Sequence, residues 1–317
     1  MTILLRAVRR PFAIAGELSR DWLLPSRTMQ RRLWPPAIGA CYIALIAALG
    51  GLNAGHVLLG SLGLLDAYNH KTRRFLRTFL PFIATGAIYD SLRYTLAAGT
   101  AGRIHVAGPY ELDRAWFGVN GLTLNELFAA HHWAIADLAA GFAYLIYVAE
   151  YLGLGMLMFF TGGVARALTF ARGFLVVNVM GFVTYFLYPA APPWYVAAHG
   201  LGPAQGQIAP SAGAATRFDT LLGTHVFENA YSHSIEVFGA IPSLHVAYPL
   251  MAAVLAFQTR ELRWARWPAV LYAVLMCFSA VYLQHHYVID VVIGLAYGAI
   301  AVFAVLAWER RTAARSA

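Results

Sequence analysis

Long apolar runs constrain this 317-residue chain more than any other feature. Six of them approach the ~20 residues that a helix needs to cross hydrocarbon, over 77–98, 133–160, 173–188, 243–258, 267–283 and 286–308. Composition agrees. The chain is 60% hydrophobic and 12% charged, where a soluble domain has roughly 45–50% and about 25%. A disordered chain, a coiled coil and an ordinary cytosolic enzyme are excluded, and a bilayer is required as solvent. Upstream, 36–65 is apolar but broken by Gly50, Gly51, Asn53 and Gly55, which reads as a two-span hairpin or as a re-entrant or interfacial pair. Cys41 and Cys277 are far apart and form neither a disulfide framework nor a zinc spacing.

Loops rich in Lys and Arg stay cytoplasmic. Nineteen of the 23 such residues fall before Leu33, from Lys71 to Arg77, at Arg166 and Arg172, from Arg260 to Arg266, and from Arg310 onward. The two long remaining loops, 99–132 and 189–242, hold only Arg103, Arg114 and Arg217. Both termini are therefore expected in the cytoplasm and both long loops outside, as in a bacterial inner membrane with its active site toward the periplasm. The net charge of +8 then follows from topology, with anionic lipid headgroups as its partner and no nucleic acid. No cleavable signal is evident. The organisation expected is an Arg-rich interfacial segment over 1–34, an apolar hairpin over 35–68, a six-span membrane domain over 69–308 and a cytoplasmic tail over 309–317.

The sharpest chemistry lies in F-G-A-I-P-S-L-H, residues 238–245, and Y-L-Q-H-H-Y-V-I-D, residues 282–290. Pro242 suits the first turn of a helix, which leaves the amides of Ser243, Leu244 and His245 unpaired and able to receive a phosphate. His286 and Asp290 are four apart and share one helix face, so the carboxylate is expected to hold one imidazole nitrogen and aim the other outward. Both spans descend from the outer surface, which puts His245 and His286 at one depth. A lone histidine at a helix mouth is an interfacial cap; two on adjacent mouths, one with an aspartate inside a span, point to function.

These residues resemble the type 2 phosphatidic acid phosphatase superfamily, whose middle motif ends in histidine and whose last motif has histidine four before aspartate. G-A-I-P-S-L-H, S-A-V-Y-L-Q-H-H-Y-V-I-D and Y-P-A-A-P-P-W-Y, residues 188–195, are similar to its inositol phosphorylceramide synthase branch. The phosphatases' first motif, a lysine with arginine-proline seven residues later, is absent. Their arginine six residues before the second histidine is Ala280 here, as expected for the synthase branch. The resemblance implies an all-α polytopic membrane protein with a six-helix phosphatase-type transmembrane core, to which the N-terminal interfacial helix and the hairpin are added.

It also implies a lipid phosphotransferase working without metal or cofactor and without an obligate protein partner. His286 is expected to attack the phosphorus of a phospholipid donor, His245 to protonate the leaving alkoxide and then deprotonate a lipid alcohol acceptor such as ceramide, and Asp290 to steady the imidazolium. Substrate or phosphate contacts are expected from Ser243, from Asp90 and Arg93 in Y-D-S-L-R-Y, from Pro192, Pro193, Trp194 and Tyr195, and from His285. Asp90 and Arg93 read equally well as a structural pair. Hydrolysis of a lipid phosphate or polyprenyl pyrophosphate uses the same machinery and is the alternative. A non-catalytic lipid transporter, with Asp90, Arg93 and Glu150 on its path, would need inverted sequence halves, which are not evident.

Overall fold

The computed structural model describes residues 34–92, 100, 102–204, 208–232 and 237–316. The Arg-rich segment before Trp34 lies outside them. The chain forms two compact units, one ending at Ile83 and the other beginning at Ala84.

In the first unit α1 (Trp34–Ala48) and α2 (Ala54–Tyr68) make a helical hairpin. Gly50 turns the chain with φ of 77°, and Asn53 and His56 form a reciprocal cap at the start of α2. Small residues bring the two backbones together: a Cβ on Gly39 would strike the Gly60 carbonyl, and one on Gly63 the Pro35 carbonyl. Asp66, near the end of α2, pairs with Arg77 at 3.3 Å. α3 (His70–Ser91) starts seven residues before the first expected span and opens on Lys71, Arg73 and Arg74.

The second unit contains α4 (Ala107–Phe117), α5 (Leu124–Ala130), α6 (Ala134–Leu157), α7 (Val164–Leu187), α8 (Pro193–His199), α9 (Thr216–Leu222), α10 (Val226–Ser232), α11 (Leu244–Gln258), α12 (Arg266–Tyr282) and α13 (Val288–Ser316). Among the described residues there is no β-strand, only isolated bridges. Among the described residues three stretches are long and apolar enough to cross a bilayer: Ala134–Thr161, Val164–Leu187 and Val288–Arg315. α11 and α12 are shorter apolar helices, rising about 22 and 26 Å against a hydrocarbon thickness of ~30 Å. The expected six-span core therefore appears as three full-length spans accompanied by shorter elements, in an integral membrane protein.

α7 begins nine residues earlier than its expected span, because Arg166 and Arg172 are absorbed into the helix instead of forming a loop. Arg172 pairs with Glu309 at 2.8 Å and lies over the Trp308 ring. α13 likewise runs on through the expected tail to Ser316.

α11 packs against α6, α7, α12 and α13. Its Val246, Ala247, Met251, Ala252 and Ala256 have no exposed surface, as suits a helix apolar all round. The surrounding helices turn large side chains outward, among them Ile135, Leu187, Trp267, Leu271 and Phe303. That inversion fits a lipid-facing surface.

Close approach of α13 to α11 depends on Gly294 and Gly298, spaced as G-x-x-x-G. A Cβ on Gly294 would strike the Ser243 carbonyl, and one on Gly298 would lie 2.9 Å from the Ala247 carbonyl oxygen.

The described residues of the two long loops are folded. They carry α4, α5, α8, α9 and α10. Gly108 and Pro109 lie in the first turn of α4, where proline is tolerated. At the heart of this cap, residues 105, 190 and 239 form parallel bridges. His105 N–H donates to Pro189, Ala191 to His105, Ala190 to Phe238 and Ala240 to Ala190, at 2.8, 2.9, 2.7 and 3.3 Å.

The glycine contact yields a contrast. Gly294→Val should cost roughly 1–3 kcal/mol by overpacking and lower the melting temperature in detergent. Gly153→Ala in α6, where the added methyl meets nothing within 4 Å, should be neutral or stabilising by up to ~1 kcal/mol. Equal melting of Gly294→Val and the parent would contradict the packing described.

Candidate active site

The N-terminus of α11 brings one imidazole to the site, and the turn before α13 brings the other. His245 Nδ1 and His286 Nε2 are 3.3 Å apart, with ring centroids at 5.4 Å. His286 is buried and His245 half-buried. A single phosphoryl group bridging by hydrogen-bond lengths spans about 5 Å, so both rings reach one phosphorus atom once it parts them.

The helix start differs from the sequence expectation. Ser243 is the N-cap of α11 and Pro242 precedes it, outside the first turn. The Ser243 amide is not free for phosphate: it donates to the Asp290 carbonyl at 3.0 Å. The amides of Leu244 and His245, at the first two helical positions, remain without a carbonyl one turn back. The Ser243 hydroxyl is buried without a partner among the described residues, a costly arrangement for a polar atom.

A second correction concerns what orients His286. Its Nδ1 donates to the Ala240 carbonyl at 2.8 Å, while the Asp290 carboxylate stands at 3.7 Å, beyond hydrogen-bond range. The backbone carbonyl sets the tautomer, leaving Nε2 as the lone-pair nitrogen that faces His245. The Asp290 carboxyl is held instead by the Tyr287 amide, from which its Oδ2 accepts at 2.7 Å.

Two residues that the sequence reading passed over hold this turn from outside. Asn125 of α5 donates to the carbonyls of Val281 at 2.8 Å and His286 at 3.0 Å. Asp113 of α4 accepts from the Ile289 amide at 2.9 Å, placing a carboxylate at the N-terminus of α13. Burial, more than these amides can offset, raises the Asp113 carboxyl above the ordinary carboxylate range. Local spacing gives no signal for either residue, because both partners lie more than 150 residues away.

His285 sits in an aromatic column. Its ring stacks on Tyr144 at 5.0 Å and on Tyr231 at 4.6 Å, and Tyr144 stacks on His245 at 4.5 Å. Burial first, and His286 beside it, push His285 down to about 3, so the ring is neutral. Its Nε2 is buried without a partner. A neutral ring accepts a hydrogen bond but supplies no charge to a phosphate, which narrows the contact expected of it. Tyr144 spaces the two histidines and fixes the plane of His245.

The P-P-W-Y segment builds the wall of the cap. Pro192 is the N-cap of α8, Pro193 its first residue, and Trp194 and Tyr195 are buried. The Trp194 amide donates to the Gln284 carbonyl at 3.0 Å, tying the segment to the histidine turn. Arg217 clamps the other side: it pairs with buried Asp137 at 2.8 Å and donates to the Tyr282 carbonyl at 3.1 Å. Asp90 is half-buried in the last turn of α3. Arg93 falls outside the described residues. Among the described residues no cluster of His, Cys, Asp or Glu has the arrangement of a metal site.

The described residues thus form a helical membrane bundle with two histidines in contact at the N-terminal ends of adjacent helices. The chain belongs to the PAP2 superfamily, whose family model matches residues 110–305. It is 37% identical over 268 residues to the phosphoinositol dihydroceramide synthase of Bacteroides thetaiotaomicron, covering 82% of this chain and 86% of that protein. It is 31% identical over 177 residues to the inositol phosphorylceramide synthase catalytic subunit of Schizosaccharomyces pombe, and 32% over 178 residues to the inositol phosphorylceramide synthase of Candida albicans. Those two matches cover 55% of this chain and 41% and 37% of the fungal proteins. No solved structure matches it significantly.

Asp113 generates a pH prediction. Because its folded value is raised, the stability it allows is full below the free carboxyl value and falls as pH rises through the folded one. Asp113→Asn should flatten that decline in melts taken upward from about pH 4 while keeping the cap; Asp113→Ala should cost roughly 1–2 kcal/mol. A parent whose melting temperature rises over that range, with Asp113→Asn unchanged, would contradict the assignment.

Proposed function

We propose that this protein transfers a phosphoinositol headgroup from a phospholipid to a lipid alcohol of the ceramide type, through a phosphohistidine on His286. The observation that carries the reading is the 3.3 Å approach of His245 Nδ1 to His286 Nε2, with the other nitrogen of His286 committed to the Ala240 carbonyl. The relative named as a phosphoinositol dihydroceramide synthase, similar along most of both chains, supports the choice of donor and acceptor.

The donor phosphodiester enters between the two rings and replaces their contact. Its negative charge favours a proton on His245. His286 Nε2 attacks phosphorus, the bond to the diacylglycerol oxygen breaks, and His245 gives that oxygen its proton. His286 now holds phosphoinositol, its added charge offset by Asp290 and shared through Nδ1 with the Ala240 carbonyl. Diacylglycerol leaves and the acceptor hydroxyl takes its place. His245 removes the hydroxyl proton, oxygen attacks phosphorus, the N–P bond breaks, and both histidines return to their starting states. The unpartnered Ser243 hydroxyl and the first amides of α11 are the donors for the equatorial oxygens.

The site faces the extracytoplasmic side of a bacterial inner membrane. The histidines and the cap lie at one end of α13, and Arg310, Arg311 and Arg315 lie at the other. Charge asymmetry of this kind sets membrane orientation.

Reconstituted protein supplied with radiolabelled phosphatidylinositol should form inositol phosphorylceramide only when ceramide is added. His286→Ala should abolish the product, and His245→Ala should slow it by about 10²–10⁴-fold. Full activity of His286→Ala would refute the nucleophile. Release of water-soluble inositol phosphate without an acceptor would assign hydrolysis instead.

A further inference from the structure

A hydrogen bond to the cap fixes the ring of His286, and His245 has no counterpart to it. His245 is the second residue of α11, so the helix holds its backbone while the ring can still turn about its side-chain bonds. Because Nε2 of His286 carries a lone pair, Nδ1 of His245 donates in the 3.3 Å contact between them. Among the described residues His245 makes no other hydrogen bond. That contact is lost when a donor phosphate parts the two rings. From then on no hydrogen bond from the described residues keeps the proton of His245 aimed at the leaving oxygen.

Aromatic contact takes the place of that bond. Tyr144 and Tyr147 stand three residues apart on one face of α6, and both meet His245, with ring centroids at 4.5 and 4.7 Å. Tyr144 lies nearly parallel to the imidazole, at 23°, and Tyr147 is inclined to it at 58°. A ring that meets a parallel and an inclined neighbour at these distances cannot turn over without striking them.

Tyr144 is held in turn. Its ring stacks on His285 at 5.0 Å and 14°, and His285 stacks on Tyr231 at 4.6 Å and 9°. The result is a column of four rings, Tyr231, His285, Tyr144 and His245. Tyr231 belongs to α10, a helix too short to persist in water by itself. Asp219 secures it: the buried carboxylate accepts from the Val226, Phe227 and Glu228 amides at 3.0, 2.9 and 3.1 Å. Phe227, itself buried, packs edge-on against Phe218 at 5.5 Å.

We infer that Tyr144 and Tyr231 are positioning residues of the reaction, which aim His245 by ring stacking in place of a hydrogen bond. Each acts through another ring, Tyr144 on His245 directly and Tyr231 by way of His285. The inference rests on the role given to His245 in the transfer reading; the geometry of the column does not.

The test combines a spectrum with kinetics on the full-length protein in detergent. With histidine labelled at ¹³Cε1, the His245 resonance is identified by its loss in His245→Asn. Tyr144→Leu should shift that resonance and lower kcat for transfer from radiolabelled phosphatidylinositol to ceramide by about ten- to a hundredfold, with KM for the donor unchanged. Tyr144→Phe, which keeps the ring, should restore both. Tyr231→Leu should act in the same sense by a smaller factor, and it carries the test if Tyr144→Leu does not fold. Tyr151→Leu removes a ring of the same α6 face that packs on Phe174 and Tyr248 at 4.6 and 5.2 Å; it should lower the melting temperature and leave kcat and the His245 resonance in place. Unchanged kcat in Tyr144→Leu and Tyr231→Leu, a rise in KM in place of a fall in kcat, no recovery in Tyr144→Phe, or an equal loss in Tyr151→Leu would overturn the inference. A resonance that follows the expected series in a protein without transfer activity would sustain the orientation and reject the transfer reading alone.

Discussion

One hydrogen bond organises the candidate site: the His286 Nδ1–H to the carbonyl of Ala240, at 2.8 Å. The backbone bonds that hold the carbonyl's own residue lie among the two long loops. Ala240 is held to Ala190, and Ala190 to Phe238, while the neighbouring Ala191 is held to His105. Tyr185 adds a bond to the Pro242 carbonyl at 2.9 Å. A carbonyl in that place fixes which imidazole nitrogen bears the proton without introducing a charge, so the nitrogen facing His245 keeps its lone pair. The Asp290 carboxyl stands 3.7 Å from the same nitrogen, outside hydrogen-bond range.

The membrane bundle supplies the complementary constraint. A helix buried on all sides, α11, presents its N-terminus to the cap, and Gly294 and Gly298 let α13 approach its backbone. The Ser243 amide bonds to the Asp290 carbonyl at the level of the two histidines, so the contact between the helices and the contact between the rings are parts of one joint. Between lipid-facing helices there is little hydrophobic gain from association, and small residues with short polar contacts take its place.

Much of this was legible in the sequence, for identifiable reasons. The apolar runs and the distribution of arginine reported a membrane protein because hydrocarbon excludes charge along a whole segment, a signal carried by many residues at once. His245 and His286 could be paired because each stands at the outer mouth of a helix, which fixes depth without knowledge of packing. Asp290 shows where such reasoning stops: four-residue spacing fixes a shared face, whereas the distance from the ring depends on how the turn at 283–287 is bent, and a backbone carbonyl from 46 residues away took the nearer place. Asn125, Asp113 and the Arg217–Asp137 clamp left no local trace, since their partners are brought by the tertiary fold. The early start of α7 was hidden by Arg166 and Arg172, which look like loop residues until Glu309 and Trp308 are seen beside Arg172.

The central claim is that the cap carbonyl commits Nδ1 of His286 and leaves Nε2 for phosphorus. Trapping the phosphoenzyme from ¹⁵N-histidine-labelled protein, by rapid quench with donor and no acceptor, and locating the phosphoryl group by ³¹P–¹⁵N NMR tests it most directly. The account predicts a single phosphorylated residue, His286, modified at Nε2. Phosphate on Nδ1 of His286, or on His245, would contradict it.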